Sequence, residues 1–138
     1  MPINARQKGK RGEREVGNWL NELFARLAPE YEQPVFRRNL MQYADGGYDL
    51  ENDLGLAIEV KRQEKLHVMQ WWKQAVTQSI ERGGEPVLLW RQNGERKWHV
   101  MICCEVTWNR VSSMPIPVEI TQDAFETLLI HRYMKGAK

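Results

Sequence analysis

Glu59 and Lys61 stand two residues apart in Leu56-Ala57-Ile58-Glu59-Val60-Lys61, a run that alternates like a strand with one apolar face. Leu56, Ile58 and Val60 then share the core face, while Glu59 and Lys61 point together to the other, roughly 7 Å apart along the backbone. An acid and a base at that separation can converge on one phosphate. Asp49 has the same parity on the preceding strand candidate, so a tight hairpin sets its carboxyl opposite that of Glu59. Two neighbouring carboxylates repel unless a cation lies between them. Hard oxygen donors with open water positions suit Mg²⁺, which takes one or two carboxylates and completes its shell with water and phosphate oxygens. The alternative is an exposed cross-strand charge pattern of the kind many sheets carry.

A third acid bears on that choice. On a helical wheel Glu13 falls within the arc of Val16, Gly17, Leu20, Phe24 and Leu27, while Arg14, Glu15, Asn18 and Glu22 fall opposite. A carboxylate aimed at the apolar side needs a partner, which a metal site or a lysine at the helix–sheet seam supplies; a frayed first turn would leave it in water. Net charge is only +2, but the basic residues are clustered, with Lys8, Lys10 and Arg11 near the start and Lys61, Arg62 and Lys65 further on. Such clusters suit a phosphate backbone, and equally a solvated basic terminus. Arg37 and Arg38 lie close to the site strand, where a guanidinium could grip a phosphate bidentately or serve as surface charge.

The positioning elements follow from periodicity. Residues 12 to 28 read as a helix ended by Pro29, and residues 34 to 40 as a short strand. After the turn signal Asp45-Gly46-Gly47, residues 48 to 51 and 56 to 62 form a hairpin about Asn52-Asp53-Leu54-Gly55. Residues 68 to 82 form a second helix, with Val68, Met69, Trp72, Ala75, Val76 and Ile80 on one face and Gly83-Gly84 as its stop. Residues 86 to 91 and 98 to 103 make a strand pair about Asn93-Gly94. Pro115 and Pro117 mark a loop, and Thr121 caps a last helix carrying Phe125, Leu128 and Leu129. The order helix, three strands, helix, strands, helix is an α/β fold with a mixed central sheet flanked by helices.

A chain of 138 residues has the length of one domain, here with a basic N-terminal tail over about residues 1–11. No apolar run approaches the roughly 20 residues that span a bilayer, and the start has no signal-peptide core, so the expected location is the cytoplasm and no membrane partner is expected. Cys103 and Cys104, the only cysteines, are adjacent, which excludes a zinc knuckle. His67, His99 and His131 lack ligand spacing, and no Ser-His-Asp set or phosphate-cradling glycine loop is present, so neither serine hydrolysis nor a nucleotide cofactor is expected. Trp71 and Trp72 suit core packing better than base stacking, and Gln70, Gln74 and Gln78 fall mostly on the solvent side of their helix.

The order Glu13, Asp49, Glu59-Val60-Lys61, then a helix, resembles the PD-(D/E)XK nuclease core. Lys8-Gly9-Lys10-Arg11-Gly12-Glu13-Arg14-Glu15-Val16, the Arg37-Arg38 pair and Gly46-Gly47-Tyr48-Asp49-Leu50 are similar to archaeal-type Holliday junction resolvases and their phage-encoded relatives, over about residues 8 to 78. Tyr48 stands where a proline often precedes the first acid, which leaves the tight turn to Gly46-Gly47. The resemblance implies a restriction-endonuclease-like fold and metal-dependent phosphodiester hydrolysis. Asp49 and Glu59 would hold Mg²⁺, with Mn²⁺ able to substitute, and Glu13 a second cation or a water of the first. Lys61 would orient or activate the attacking water. Lys8, Lys10, Arg11, Arg37, Arg38 and Arg62 would bind DNA. The implied substrate is a four-way junction, cut by a homodimer in the host cytoplasm if the gene is a phage's. Flap, nick or duplex cleavage by the same fold, or non-catalytic DNA binding, are the competing readings.

Overall fold

The computed structural model describes residues 5–30, 36–38, 49–108, 110 and 112–136. In chain order the elements are α1 (Ala5–Leu27), β1 (Phe36–Arg38), β2 (Leu50–Asn52), β3 (Leu56–Arg62), α2 (Val68–Arg82), β4 (Glu85–Arg91), β5 (His99–Trp108), β6 (Ser112–Ile120) and α3 (Gln122–Gly136). The strands form one sheet in the order β1-β2-β3-β4-β5-β6. Among the described residues only β3 and β4 are parallel, because α2 carries the chain back between them; the other described pairs are antiparallel.

Alternation along the strands makes two cores. Leu56, Ile58 and Val60 of β3, Val87 and Leu89 of β4 and Val100 of β5 face α1 and α3, whose Val16, Leu20, Phe24, Phe125 and Leu129 complete the larger cluster. The other sheet face offers Leu88 and Trp90 to Trp71, Trp72 and Ala75 of α2. Both tryptophans are thus packing residues, as their spacing suggested. The buried stripe of α2 runs through Trp71, Trp72, Ala75 and Ser79, leaving Met69 55% and Ile80 79% exposed. The expected face was therefore rotated by part of a turn. Two bulky indoles fill the space over the sheet and leave the flanking apolar residues outside.

Three further differences concern boundaries. The helix begins at Ala5, not near Gly12, so residues 5–11 of the expected tail are helical; Ala, Arg, Gln and Lys are good helix formers, enough to carry the helix through Gly9. The loop expected around Pro115 and Pro117 is strand β6, at the edge of the sheet. The two prolines are two residues apart, so both missing N–H groups face the same way, and only an edge strand has a side that needs no donor. Leu27, expected in the core, lies at the helix end and is 54% exposed. The Asp45-Gly46-Gly47 turn and Tyr48 lie outside the described residues.

Local fastenings position the site. Asn52 closes the β2–β3 hairpin, its Oδ1 accepting from the Leu54 and Leu56 amides and its Nδ2 donating to the Leu56 carbonyl. Asn21 on α1 mimics a strand neighbour: its Nδ2 donates to the Phe36 carbonyl at 2.8 Å and its Oδ1 accepts from the Phe36 amide at 2.9 Å, docking β1 on the helix. Thr121 caps α3 through its Oγ1, which accepts from the Ala124 amide at 3.0 Å, as expected.

Candidate active site

The register that pairs Leu50 with Ile58 brings Asp49 beside Glu59. The Asp49 amide donates to the Ile58 carbonyl at 2.8 Å, and Asp49 Oδ2 accepts from the Val60 amide at 2.7 Å. One carboxylate oxygen is thereby fixed to the backbone of the very strand that carries Glu59. Asp49 is 9% exposed, Glu59 2% and Glu13 5%, three acids in places where charge is costly.

The two hairpin carboxyls interact directly. Burial above all, together with the charge of Asp49 and a hydrogen bond to it, pushes the Glu59 carboxyl up to about 8. Burial likewise pushes Asp49 up to about 6, against the opposing pull of the Val60 amide. Lys61 draws both values down and Glu13 raises both, so all four groups share one electrostatic neighbourhood. Without a cation, such a pair retains a proton near neutrality. This donor set fits a hard divalent ion, which Asp49 and Glu59 would hold in place of that proton.

Lys61 is half-buried on the face of Glu59, and among the described residues its ammonium has no hydrogen-bonded partner. Glu13 is bound by Arg38, whose Nε donates to its Oε2 at 2.9 Å. Among the described residues no three His, Cys, Asp or Glu side chains are grouped to hold a metal ion. A cation at Asp49 and Glu59 would thus depend on water or substrate oxygens for its other ligands. Arg38 and Arg37 prove unlike. Strand alternation puts Arg38 on the α1 side with Glu13, while Arg37 is exposed and shares the sheet face of Asp49, Glu59 and Lys61.

Of the other basic residues expected to meet DNA, Lys10 and Arg11 lie on the first turns of α1, as does the backbone of Lys8, and Arg11 is exposed. Arg62 ends β3 and is engaged within the protein: its Nη1 donates to Glu15 Oε1 at 2.8 Å. Glu15 also accepts from Arg91 Nη2. Neither Glu15 nor Arg91 stood out in the sequence. The available signal was that β3 and β4 both end in arginine, while Glu15 sits two residues past Glu13 on a face that looked solvent-exposed.

A mixed sheet with a helical crossover between its two parallel strands, flanked by helices on both faces and carrying an acid, a second acid and a lysine on the adjoining hairpin, is a restriction-endonuclease-like core of the PD-(D/E)XK class. Residues 4–132 match the family described as "phage putative PDDEXK endonuclease", and the chain belongs to that family. No curated protein and no solved structure matches it. No helix among the described residues is long and apolar enough to cross a membrane.

Proposed function

We propose that this nuclease is a Mg²⁺-dependent endonuclease that acts on branched DNA, most specifically as a resolvase of four-way junctions. The observation that carries the catalytic part is the buried Asp49–Glu59 pair, held by the Val60 amide beside Lys61. Asp49 and Glu59 would hold the cation, for which Mn²⁺ can substitute. When bound, the ion supplies Lewis acidity and lowers the pKa of a water. Lys61 places positive charge where the phosphorane oxygens gain negative charge, and can orient the attacking water. Glu13 keeps Arg38 in place and adds negative charge to the site's edge. Arg37, exposed on the site's face, binds a neighbouring phosphate, and Lys8, Lys10 and Arg11 contribute sequence-independent affinity. The junction preference rests on the likeness of residues 8 to 78 to resolvases, and cutting two strands at one junction calls for a twofold homodimer.

The test is cleavage of labelled four-way junction, flap and linear duplex by wild type and by Asp49→Asn, with Mg²⁺ and with EDTA. Junction cleavage that needs both Mg²⁺ and Asp49 supports the full reading. Cleavage of flap or duplex in preference to junction leaves the nuclease and removes the resolvase. Binding without cleavage under every condition favours a DNA-binding module.

A further inference from the structure

Two guanidinium groups share a single carboxylate at the rim where the parallel strands β3 and β4 end. Arg62 and Arg91 are register partners there, and Glu15 on α1 takes one N–H from each. The charges do not cancel: two cations face one anion. Their side chains are only 17% and 16% exposed, and the Nε atoms of both are enclosed without an acceptor. The remaining Nη group of each has no protein partner among the described residues. Arg91 is further held by stacking 5.0 Å from the centre of the Trp98 ring. A clamp built only to fasten α1 would be better served by balanced charge and satisfied donors, so the surplus is a local cost of the kind kept at functional positions.

The setting adds to the imbalance. Arg11 precedes Gly12, which lies so close over β3 that a Cβ there would stand 3.3 Å from that of Arg62, and Arg14 follows two residues on, past Glu13; both arginines are exposed. Lys65 follows β3, and Arg96 and Lys97 follow β4, all exposed; the acids of the same two turns, Glu64 and Glu95, are engaged with Asn93 and His99, and the turns keep an excess of positive charge. An isolated phosphate needs only the pair, whereas this bordering charge favours a polyanion. Lys61, one residue before Arg62, lies on the opposite face of β3 with the acid pair, so the arginine pair stands round the sheet edge from the site.

We propose that Arg62 and Arg91, held as a pair by Glu15, form a phosphate subsite, and that the phosphate belongs to a DNA strand leaving the active site. The inference rests on the nuclease reading for the identity of the strand, not for the chemistry of the pair. Glu15 presets the two guanidinium planes and at the same time weakens them electrostatically, so its neutralisation has a sign that separates the two roles.

The test uses the full chain in an Asp49→Asn background with Mg²⁺, so that bound DNA is not cut, and reads affinity for duplex and junction across a salt series. Glu15→Gln should tighten DNA binding several-fold. Arg91→Gln should lower the slope of log affinity against log salt by about 0.9, the contribution of one phosphate. A pure clamp gives the opposite pattern: Glu15→Gln weakens binding or leaves it level while lowering the melting temperature, and Arg91→Gln leaves the slope unchanged. Either result overturns the proposal, and Glu15→Gln carries the test alone if Arg91→Gln cannot be purified folded. Inorganic phosphate should raise the melting temperature of the parent more than that of Arg91→Gln. An Arg91-dependent phosphate shift with an unaltered DNA slope would assign the pair to free phosphate and overturn the DNA assignment. Failure of the nuclease reading shows separately, as cleavage by the chain with Asp49 intact that is absent or independent of Asp49.

Discussion

At the scale of single residues, the Asp49 and Glu59 carboxyls are close enough to hold a proton between them, and this makes stability depend on pH. Both acids bind protons more tightly in the folded chain than in the unfolded one, Glu59 with its value raised from 4.5 to about 8 and Asp49 from 3.8 to about 6. Their stabilising contribution is full below the unfolded values and is lost as pH rises through the folded ones. In EDTA the melting temperature should therefore fall between about pH 5 and about pH 8, and Glu59→Gln should flatten that fall. Near neutral pH, Asp49→Asn or Glu59→Gln should raise the melting temperature in EDTA and reduce the further rise that Mg²⁺ gives wild type. Asn keeps an oxygen for the Val60 amide, so the substitution isolates charge from geometry. No Mg²⁺ shift in wild type, together with lower melting in both variants, would refute a shared metal site. Lys61→Ala should slow cleavage by about 10²–10³-fold while leaving DNA binding near wild type, since its charge acts chiefly on the transition state; a titration of binding beside single-turnover cleavage checks this.

Among the elements, α1 does more than cover the sheet. It carries Glu13 toward the acid pair, takes both strand-end arginines through Glu15, and docks β1 through Asn21. The Asn21 side chain holds the strand whose Arg38 binds Glu13. Asn21→Ala leaves the Phe36 amide and carbonyl without their partner, which should cost about 1–3 kcal/mol in chemical denaturation. It should also reduce cleavage more than Leu27→Ala, an exposed substitution near the end of the same helix. Equal activity in the two variants would detach β1 from the site. The hairpin shows the same dependence of chemistry on fastening: Asn52 closes the turn that sets the register, and a slip of one residue would turn Asp49 away from Glu59.

For the molecule as a whole, association and DNA affinity are the open properties with the sharpest tests. The apolar run Val100-Met101-Ile102 is a natural candidate for a dimer surface, but it lies in β5, between β4 and β6, and Val100 is fully buried. The last helix keeps Leu128 45% and Met134 63% exposed and is the better surface. Sedimentation should show a dimer at working concentrations or on junction DNA, and Leu128→Glu should shift it toward monomer. A monomer under both conditions would move the function to a flap or nicking nuclease. Reversing the charges of Lys8, Lys10 and Arg11 together should chiefly weaken binding and reduce its salt dependence, by about 0.9 in slope for each phosphate that is no longer neutralised. An unchanged slope would take the start of α1 out of the DNA interface.

Much of this organisation was legible in the chain because it is local. Alternation in β3 sets Glu59 and Lys61 on one face, the matching parity of Asp49 needs only a short hairpin, and the helical spacing of α1 turns Glu13 inward. The limits of α2 fall where Val68 and Gly83 predicted them. Other features depended on neighbours distant in sequence. Pro115 and Pro117 argue for a loop until β6 is known to lie at a sheet edge, where their missing donors face no strand. Which stripe of α2 is buried was decided by the fit of Trp71 and Trp72 over Leu88 and Trp90. Arg38, Arg62 and Arg91 look alike as sequence, yet one is joined to Glu13 and two to Glu15. Periodicity tells a side chain which face it occupies, but the partner of a charge is set by which elements the fold lays side by side.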